Sequence, residues 1–364
     1  MAKVKTIAVM TGGGDCPGLN AVIRAVTKTA IAQYGIKVWG IEDGFLGIIE
    51  NRIRPLGYRE VSNILETGGT ILGSNNTTNP SKYPHTNKAG KVEFKDLTAS
   101  CVRTLKQKKI DALVCIGGDG TMTSAEKLAE RGMTIIGVPK TIDNDLWGTE
   151  VTFGFDTAVT TATEAIDKLR TTASAHHRIM VLEVMGRYAG WIALHAGVAG
   201  GADVILIPEI PYSLDKVCDF IKQRNSWGKT YTIICVAEGA KEIGGEMVVR
   251  RTVAYSPETI RLGGIANKLA GQIEMSLGLE TRSVTLGYVQ RGGRPTAHDR
   301  VLATSFGHAA LELVVSGKKN RLVVWKNNQV SSVPLAQVAG KVRKVPVNSP
   351  LIAAARGVNT CFGD

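Results

Sequence analysis

No window of this 364-residue chain holds the roughly 20 consecutive apolar residues that a membrane-crossing helix requires. The start, Met1-Ala2-Lys3-Val4-Lys5, runs into a strand-like segment without the apolar core and cleavage site of a signal peptide. Both absences lead us to expect a cytoplasmic protein with no membrane partner. Cysteine is sparse: Cys16, Cys101, Cys115, Cys218, Cys235 and Cys361 form no CxxC pair and have no histidine at zinc spacing, so buried free thiols are expected. Aromatics make up only 5% of residues. The densest basic runs, Lys318-Lys319-Asn320-Arg321 and Lys341-Val342-Arg343-Lys344, lack the interleaved rings of a single-strand nucleic-acid binder. The net charge of +12 is therefore expected to serve phosphate-sized anions and not nucleic acid. Short-period repeats and low-complexity tracts are also missing, which excludes solenoids and linkers.

What is present is the composition of a compact globular protein, 44% hydrophobic and 21% charged, with a length that suggests about two domains. Apolar β-branched runs alternate with helical periodicities, the pattern of a doubly wound α/β protein. Strands are expected at Thr6 to Met10, Lys37 to Ile41, Ala112 to Ile116 and Thr134 to Val138, with a helix over Ala21 to Tyr34. A second half is expected from strands at Arg178 to Val184, Val204 to Ile207, Tyr231 to Val236 and Ser283 to Val289. Its helices are expected after an N-cap at Asp156, over Gly190 to Ala199, over Ser256 to Leu277 and over Asp299 to Val315. Beyond Leu322 to Trp325 the pattern is less regular.

Pro139-Lys140-Thr141-Ile142-Asp143-Asn144-Asp145 sets two carboxylates, a hydroxyl and a cation directly after the apolar run Met133 to Val138. In open α/β sheets ligands bind beyond the carboxyl ends of strands, so a reaction centre is expected there. One carboxylate could accept a hydroxyl proton while the other orients an arginine or a metal, and Lys140 could neutralise phosphate. Gly117-Gly118-Asp119-Gly120-Thr121 closes the preceding strand, and a carboxylate amid glycines suits a magnesium ion carrying polyphosphate. Thr11 to Gly18, a glycine-rich strand-to-helix turn, can bind phosphate through free amides, although it is neither a Walker A loop nor GxGxxG. Each stretch alone also reads as an ordinary solvated turn. Together they point to phosphoryl transfer.

The collinear series TGGGDCPGLN, GGTILGS (Gly68 to Ser74), GGDGT, PKTIDND, MGRYAGW (Met185 to Trp191) and LGYVQRGG (Leu286 to Gly293) resembles the 6-phosphofructokinase family over essentially the first 320 residues. The resemblance implies two doubly wound Rossmann-like α/β domains with the active site in the cleft between them. The larger, nucleotide- and magnesium-binding domain is expected at 1–154 plus about 290–335, and the smaller, sugar-phosphate domain at 155–289 plus about 336–364. The implied reaction is the glycolytic transfer of a phosphoryl group from ATP, with Mg2+, to the 1-hydroxyl of fructose 6-phosphate. Carried over by motif, Asp143 resembles the proton acceptor, Thr141 a hydroxyl near the transferred group, and Asp145 a support for the loop. Lys140 and Arg187 stabilise charge, and Asp119 matches the magnesium carboxylate. Gly13, Gly14, Asn76, Gly118, Gly120 and Thr121 match the donor site. Arg178, Met185, Gly186, Arg187, Glu238, Arg282, Tyr288 and Arg291, with Thr141 and Asp143, match the sugar-phosphate site. In the family Arg178 and Arg282 reach a neighbouring subunit's site, which implies a homotetramer.

The chain departs from the family pattern in several places. Tyr288 stands where many bacterial relatives carry histidine, and no cation lies between Gly68 and Pro80, where many carry an arginine that bridges the two phosphates. Gly120 resembles ATP-dependent relatives, while Lys140 resembles those that use pyrophosphate. Space for a nucleotide weighs more than one added cation, so ATP is the expected donor and pyrophosphate or ADP the alternative. Arg24, Lys28, Arg52, Arg170 and Lys229 match basic positions of an effector pocket and could equally be solvated. From another class, a catalytically weak regulatory sugar-phosphate binder would explain the missing arginine but not the joint presence of Asp119, Asp143 and Arg187.

Overall fold

The computed structural model describes residues 4–87, 90–253 and 259–364. The chain opens with β1 (Thr6–Thr11), α1 (Leu19–Tyr34), β2 (Lys37–Ile41), α2 (Phe45–Ile49) and β3 (Ile53–Leu56), followed by a hairpin of β4 (Tyr83–Thr86) and β5 (Val92–Lys95). Next come α3 (Thr98–Gln107), β6 (Ala112–Gly117), α4 (Asp119–Glu130) and β7 (Thr134–Pro139). A second series holds α5 (Phe155–His176), β8 (Ile179–Val184), α6 (Trp191–Ala199), β9 (Val204–Leu206), α7 (Leu214–Ser226) and β10 (Thr232–Ala237). It continues through β11 (Val249–Thr252), β12 (Ile260–Leu262), α8 (Ile265–Leu277), β13 (Thr281–Thr285) and a 3-10 turn at Gly287–Arg291. α9 (Ala297–Val315), β14 (Arg321–Lys326), β15 (Gln329–Pro334) and α10 (Pro350–Gly357) complete it.

The architecture is α/β. One sheet runs in the order β15-β14-β7-β6-β1-β2-β3, parallel except for β3 and β15 at its edges, and the other is β13-β8-β10-β9, parallel throughout. β1, β6, β8 and β10 are buried along their whole length, which is why their sequences read as unbroken apolar runs and not as alternation. A single apolar cluster reaches from Ile7 and Val114 of the large sheet through Phe155, Ala158 and Ile166 of α5 to Leu182 and Ile205 of the small one. The long helices α1 and α9 lie against each other, and a side chain on Gly307 would come within 2.8 Å of the Val22 carbonyl.

Three local expectations are corrected. α5 is capped by Gly154 at φ +92°, not by Asp156, whose carboxylate lies in the first turn and accepts the Thr296 hydroxyl at 2.6 Å. The strand expected over Ser283 to Val289 stops at Thr285, because Gly287 takes φ +51° and turns the chain into the 3-10 helix. The helix expected from Ser256 starts at Ile265, after the β11–β12 hairpin; Ser256 to Glu258 lie outside the described residues. Met1 to Lys3 lie outside them as well. No helix among the described residues is long and apolar enough to cross a membrane.

Candidate active site between the two sheets

Because β1, β6 and β7 are parallel neighbours, in register Thr11 to Ile116 and Gly117 to Pro139, their carboxyl ends open along one edge. The Gly12 N–H donates to the Ile116 carbonyl at 2.9 Å, and the Lys140 N–H to the Gly117 carbonyl at 3.0 Å. Thr121 seals the joint: a Cβ on Gly12 would sit 2.8 Å from its hydroxyl, and one on Gly117 only 2.4 Å away. Gly13, Gly14 and Asn76 share a groove of about 300 Å³ with Asp15, Gly69, Thr70 and Ser74. The groove is shaped by hydrogen bonds from Ser74 Oγ to the Gly13 carbonyl (2.5 Å) and from the Gly13 N–H to the Asn75 carbonyl (3.2 Å).

Lys140 is 3% exposed and its ammonium donates to the Gly14 carbonyl. Burial lowers its pKa and the nearby Arg291 adds to the fall, while Asp143 and Asp15 oppose it. The cation thus lies under the glycine turn. Arg291 joins it there, donating from Nη1 to the Asp15 carbonyl at 3.2 Å. Gly118 sits at the cap of α4, with the Lys140 carbonyl 3.4 Å from where its Cβ would be, whereas Gly120 is exposed and has no atom within 4 Å of a Cβ.

Asp143 is 4% exposed, and its Oδ1 finds no hydrogen-bond partner among the described residues. A carboxylate oxygen in so dry a position is costly unless a ligand donates to it. Its own N–H donates to Thr141 Oγ1 at 3.1 Å, and Thr152 Oγ1 ties down the Thr141 carbonyl at 2.7 Å, so the loop is held rigid around the unsatisfied oxygen. Burial and then the charge of Asp143 push Asp145 up to about 7, with Arg187 pulling the other way. The small sheet delivers the opposite wall. Glu238, after β10, is also pushed up to about 7 by burial and then by Asp143. It accepts the Arg187 N–H at 3.1 Å. Arg187, after β8, has a left-handed φ of +52°, preceded by Gly186 at +140°. Gly239 is what permits this turn, since any Cβ there would lie 1.8 Å from the Arg187 carbonyl.

Asp119 opens α4 half-buried; its Oδ1 accepts the Gly340 N–H at 2.8 Å and faces the Thr123 hydroxyl at 3.4 Å. No cluster of three or more acids, histidines or cysteines fit to hold a metal occurs among the described residues. A single carboxylate such as Asp119 is compatible with Mg2+, which keeps waters and substrate phosphates as most of its ligands and seldom occupies an all-protein cage.

A family model described as Phosphofructokinase matches residues 6–314. The chain belongs to the phosphofructokinase family. It is 52% identical, over the full length of both chains, to ATP-dependent 6-phosphofructokinase 2 of Clostridium perfringens. A pyrophosphate–fructose 6-phosphate 1-phosphotransferase of Amycolatopsis methanolica is 47% identical over 93% of this chain and 96% of that one. Among solved structures, the phosphofructokinase of Pichia pastoris in its T-state aligns at TM-score 0.80 and 32% identity, over 93% of this chain and 38% of that much longer one.

Two of the expected sugar-phosphate residues stand at the opposite end of β8 from Arg187. Arg178 and Arg282 sit at the amino ends of β8 and β13, where both engage Glu280, at 2.8 Å and 2.6 Å. At about 3.3 Å per residue, the length of β8 separates them from Arg187 by roughly 20 Å. Tyr288 is 72% exposed on the 3-10 turn, while Gln290 on the same turn is wholly buried and its Oε1 accepts the Met185 N–H at 2.8 Å. That glutamine, the fifth residue of LGYVQRGG, orders the Met185-Gly186-Arg187 turn. The basic residues matched to an effector pocket fall into two groups. Arg24 and Lys28 lie one turn apart on α1, Lys28 over the Tyr58 ring, while Arg52 pairs with Asp43 and Glu50. Arg170 donates to the Gly200 and Gly201 carbonyls, and its charge and that of Lys229 both act on Asp203.

Proposed function

We propose that this chain transfers the γ-phosphoryl group of ATP to the 1-hydroxyl of fructose 6-phosphate, giving fructose 1,6-bisphosphate and ADP. The observation that carries the reading is Asp143 Oδ1, buried and unpartnered in a rigid loop at the meeting of the two sheets. In this reading Asp143 accepts the proton of the sugar hydroxyl as its oxygen attacks phosphorus. Thr141 lies beside the transferred group, Arg187 offsets the charge that builds on it, and Asp145 supports the loop. Lys140, held against Gly14, lends positive charge to the glycine turn from below. Met185, Gly186, Glu238, Tyr288 and Arg291 would contact the sugar phosphate. Asp119 would hold Mg2+, which when bound neutralises polyphosphate charge. The amides of Gly14, Gly118, Gly120 and Thr121, with Gly13 and Asn76, would receive the donor.

The domain division at 1–154 with about 290–335, and 155–289 with about 336–364, belongs to the same proposal and is supported by the separate sheets. A neighbouring subunit belongs to the same proposal, because Arg178 and Arg282 lie too far from Arg187 to serve the same chain's crevice; the family resemblance makes the assembly a homotetramer, and a cytoplasmic location is proposed with it. An effector site drawing on Arg24, Lys28, Arg52, Arg170 and Lys229 would then assemble from more than one surface.

ATP is favoured by the ATP-dependent relative and by the open space beside Gly120. The second reading, pyrophosphate as donor, is favoured by Lys140 and by the Amycolatopsis relative. Supplying fructose 6-phosphate and Mg2+ with ATP, ADP or pyrophosphate in separate reactions, and measuring the bisphosphate, tests both. ATP is expected to give product. Product from none of the three would end the phosphotransferase reading, and product from pyrophosphate alone would replace the donor.

A further inference from the structure

Residues beyond 335 cross from the large sheet to the small one, and Arg343 is where they grip both. Val342 bridges Leu146 in antiparallel fashion, the Arg343 N–H donates to the Asp145 carbonyl at 2.6 Å, and Arg343 Nη1 donates to the Asn144 carbonyl at 2.9 Å. The same guanidinium lies 4.0 Å from the centre of the Trp191 ring, and Trp191 Nε1 donates back to the Arg343 carbonyl at 3.1 Å. Trp191 is the first residue of α6, directly after the turn that carries Arg187. Two residues on, the Val345 N–H donates to Glu209 Oε1 at 2.9 Å, and that carboxylate also accepts the Gly190 N–H at 3.1 Å. One side chain therefore holds the carbonyl next to Asp143 and the ring that ends the Arg187 turn.

We propose that Arg343 is a positioning residue which fixes the Asp143 loop against the Arg187 turn, so that proton acceptor and charge stabiliser keep a set separation. The inference rests on the phosphotransfer reading above. Arg343 has no need to touch substrate. Its planar fork can donate to a carbonyl while its face stacks on an indole, and lysine cannot do both. Asn144, whose φ of +51° is left-handed, presents a carbonyl that a loop of ordinary conformation would aim elsewhere. Misplacement of about 1 Å between reacting groups can cost on the order of a hundredfold in rate, so a clamp of this kind acts on turnover more than on affinity.

The test compares Arg343→Lys, Arg343→Met, Trp191→Leu and the double variant Arg343→Met/Trp191→Leu with the wild-type chain. For both Arg343 variants kcat is expected to fall about tenfold, with KM for fructose 6-phosphate changed less than threefold. The double variant is expected within twofold of Arg343→Met, since either change opens the same bridge. Amide hydrogen exchange, read without substrate, is expected to rise at least fivefold in both 141–147 and 186–192. A kcat within twofold of wild type in Arg343→Met, losses that multiply in the double variant, or faster exchange confined to 340–345 would each overturn the proposal. If Arg343→Met does not fold, Trp191→Leu carries the same exchange and kcat criteria. If the wild-type chain transfers no phosphoryl group, the functional reading fails, while the exchange data still decide whether the bridge exists.

Discussion

The strand Ile179–Val184 carries an arginine beyond each of its ends, and the two live in opposite surroundings. At the carboxyl end Arg187 is held in a left-handed turn among Asp143, Asp145 and Glu238, of which Asp145 and Glu238 are pushed up to about 7. At the amino end Arg178 shares Glu280 with Arg282 close to the surface, and those cations lower the pKa of that glutamate through a hydrogen bond from Arg178 and the charges around it. One end gathers buried carboxylates around its arginine, and two of them hold their protons more tightly for it. The other pairs its arginines with one carboxylate near the surface. Burial, and not residue type, separates the two, and only a strand's length lies between them.

The comparison breaks most easily at Asp143. Replacing it with serine is expected to lower kcat by roughly 10²-fold or more, about 2.7 kcal/mol of transition-state stabilisation, with KM for fructose 6-phosphate little changed. Steady-state kinetics would decide; a loss carried by KM would make Asp143 a binding or structural residue.

Next in size is a stability effect. Asp145 and Glu238 bind their protons more tightly folded than unfolded, so their contribution is fully present below about pH 4 and is lost as pH rises through about 7. Asp145→Asn should therefore flatten the decline of unfolding free energy between pH 4 and 8 by on the order of 2 kcal/mol. Denaturant melts across that range test it, and a steeper decline in the variant would contradict the assignment of buried charge.

At the amino end, Arg178→Ala with Arg282→Ala is expected to raise KM for fructose 6-phosphate about tenfold and to leave kcat within threefold, about 1.4 kcal/mol. Refolding this chain together with Asp143→Ser should restore activity above either parent, because each would supply what the other lacks. A mixture no more active than its parents would mean that each chain completes its own site. The smallest effect is assigned to Glu280→Gln: surface ion pairs contribute about 0–1 kcal/mol, so its melting temperature should stay within a few degrees of wild type. A larger drop would show that Glu280 bears structural weight.

The carboxylate loop and the glycine turns were legible because their chemistry is contiguous in sequence and follows apolar runs that could only be buried strands. Local stretches misled where a backbone angle decided the outcome. Ser283 to Val289 reads as a strand, yet Gly287 at φ +51° ends it and leaves Tyr288 and Val289 exposed beside the buried Gln290. Asp156 looked like a cap because acids favour helix starts, but it stands inside the first turn and Gly154 takes the left-handed position. The opposition of Arg178 and Arg187 follows from the direction of one strand. By contrast, nothing around Arg343 signals that it meets Asn144 and Trp191, since those contacts span 199 and 152 residues.

Late residues also finish both sheets. Arg321 pairs with Ile136 to carry the large sheet beyond β7, Val204 pairs with Cys361 at the edge of the small one, and Phe362 is 1% exposed. A ribosome making this chain must therefore release Arg321 to Pro334 before the open edge of β7 is covered, and Cys361 before that of β9 is. The two halves are closed in turn by the last part of the chain, and premature termination after residue 335 would leave the large sheet its full set of strands while taking from the small one its bridge at Val204.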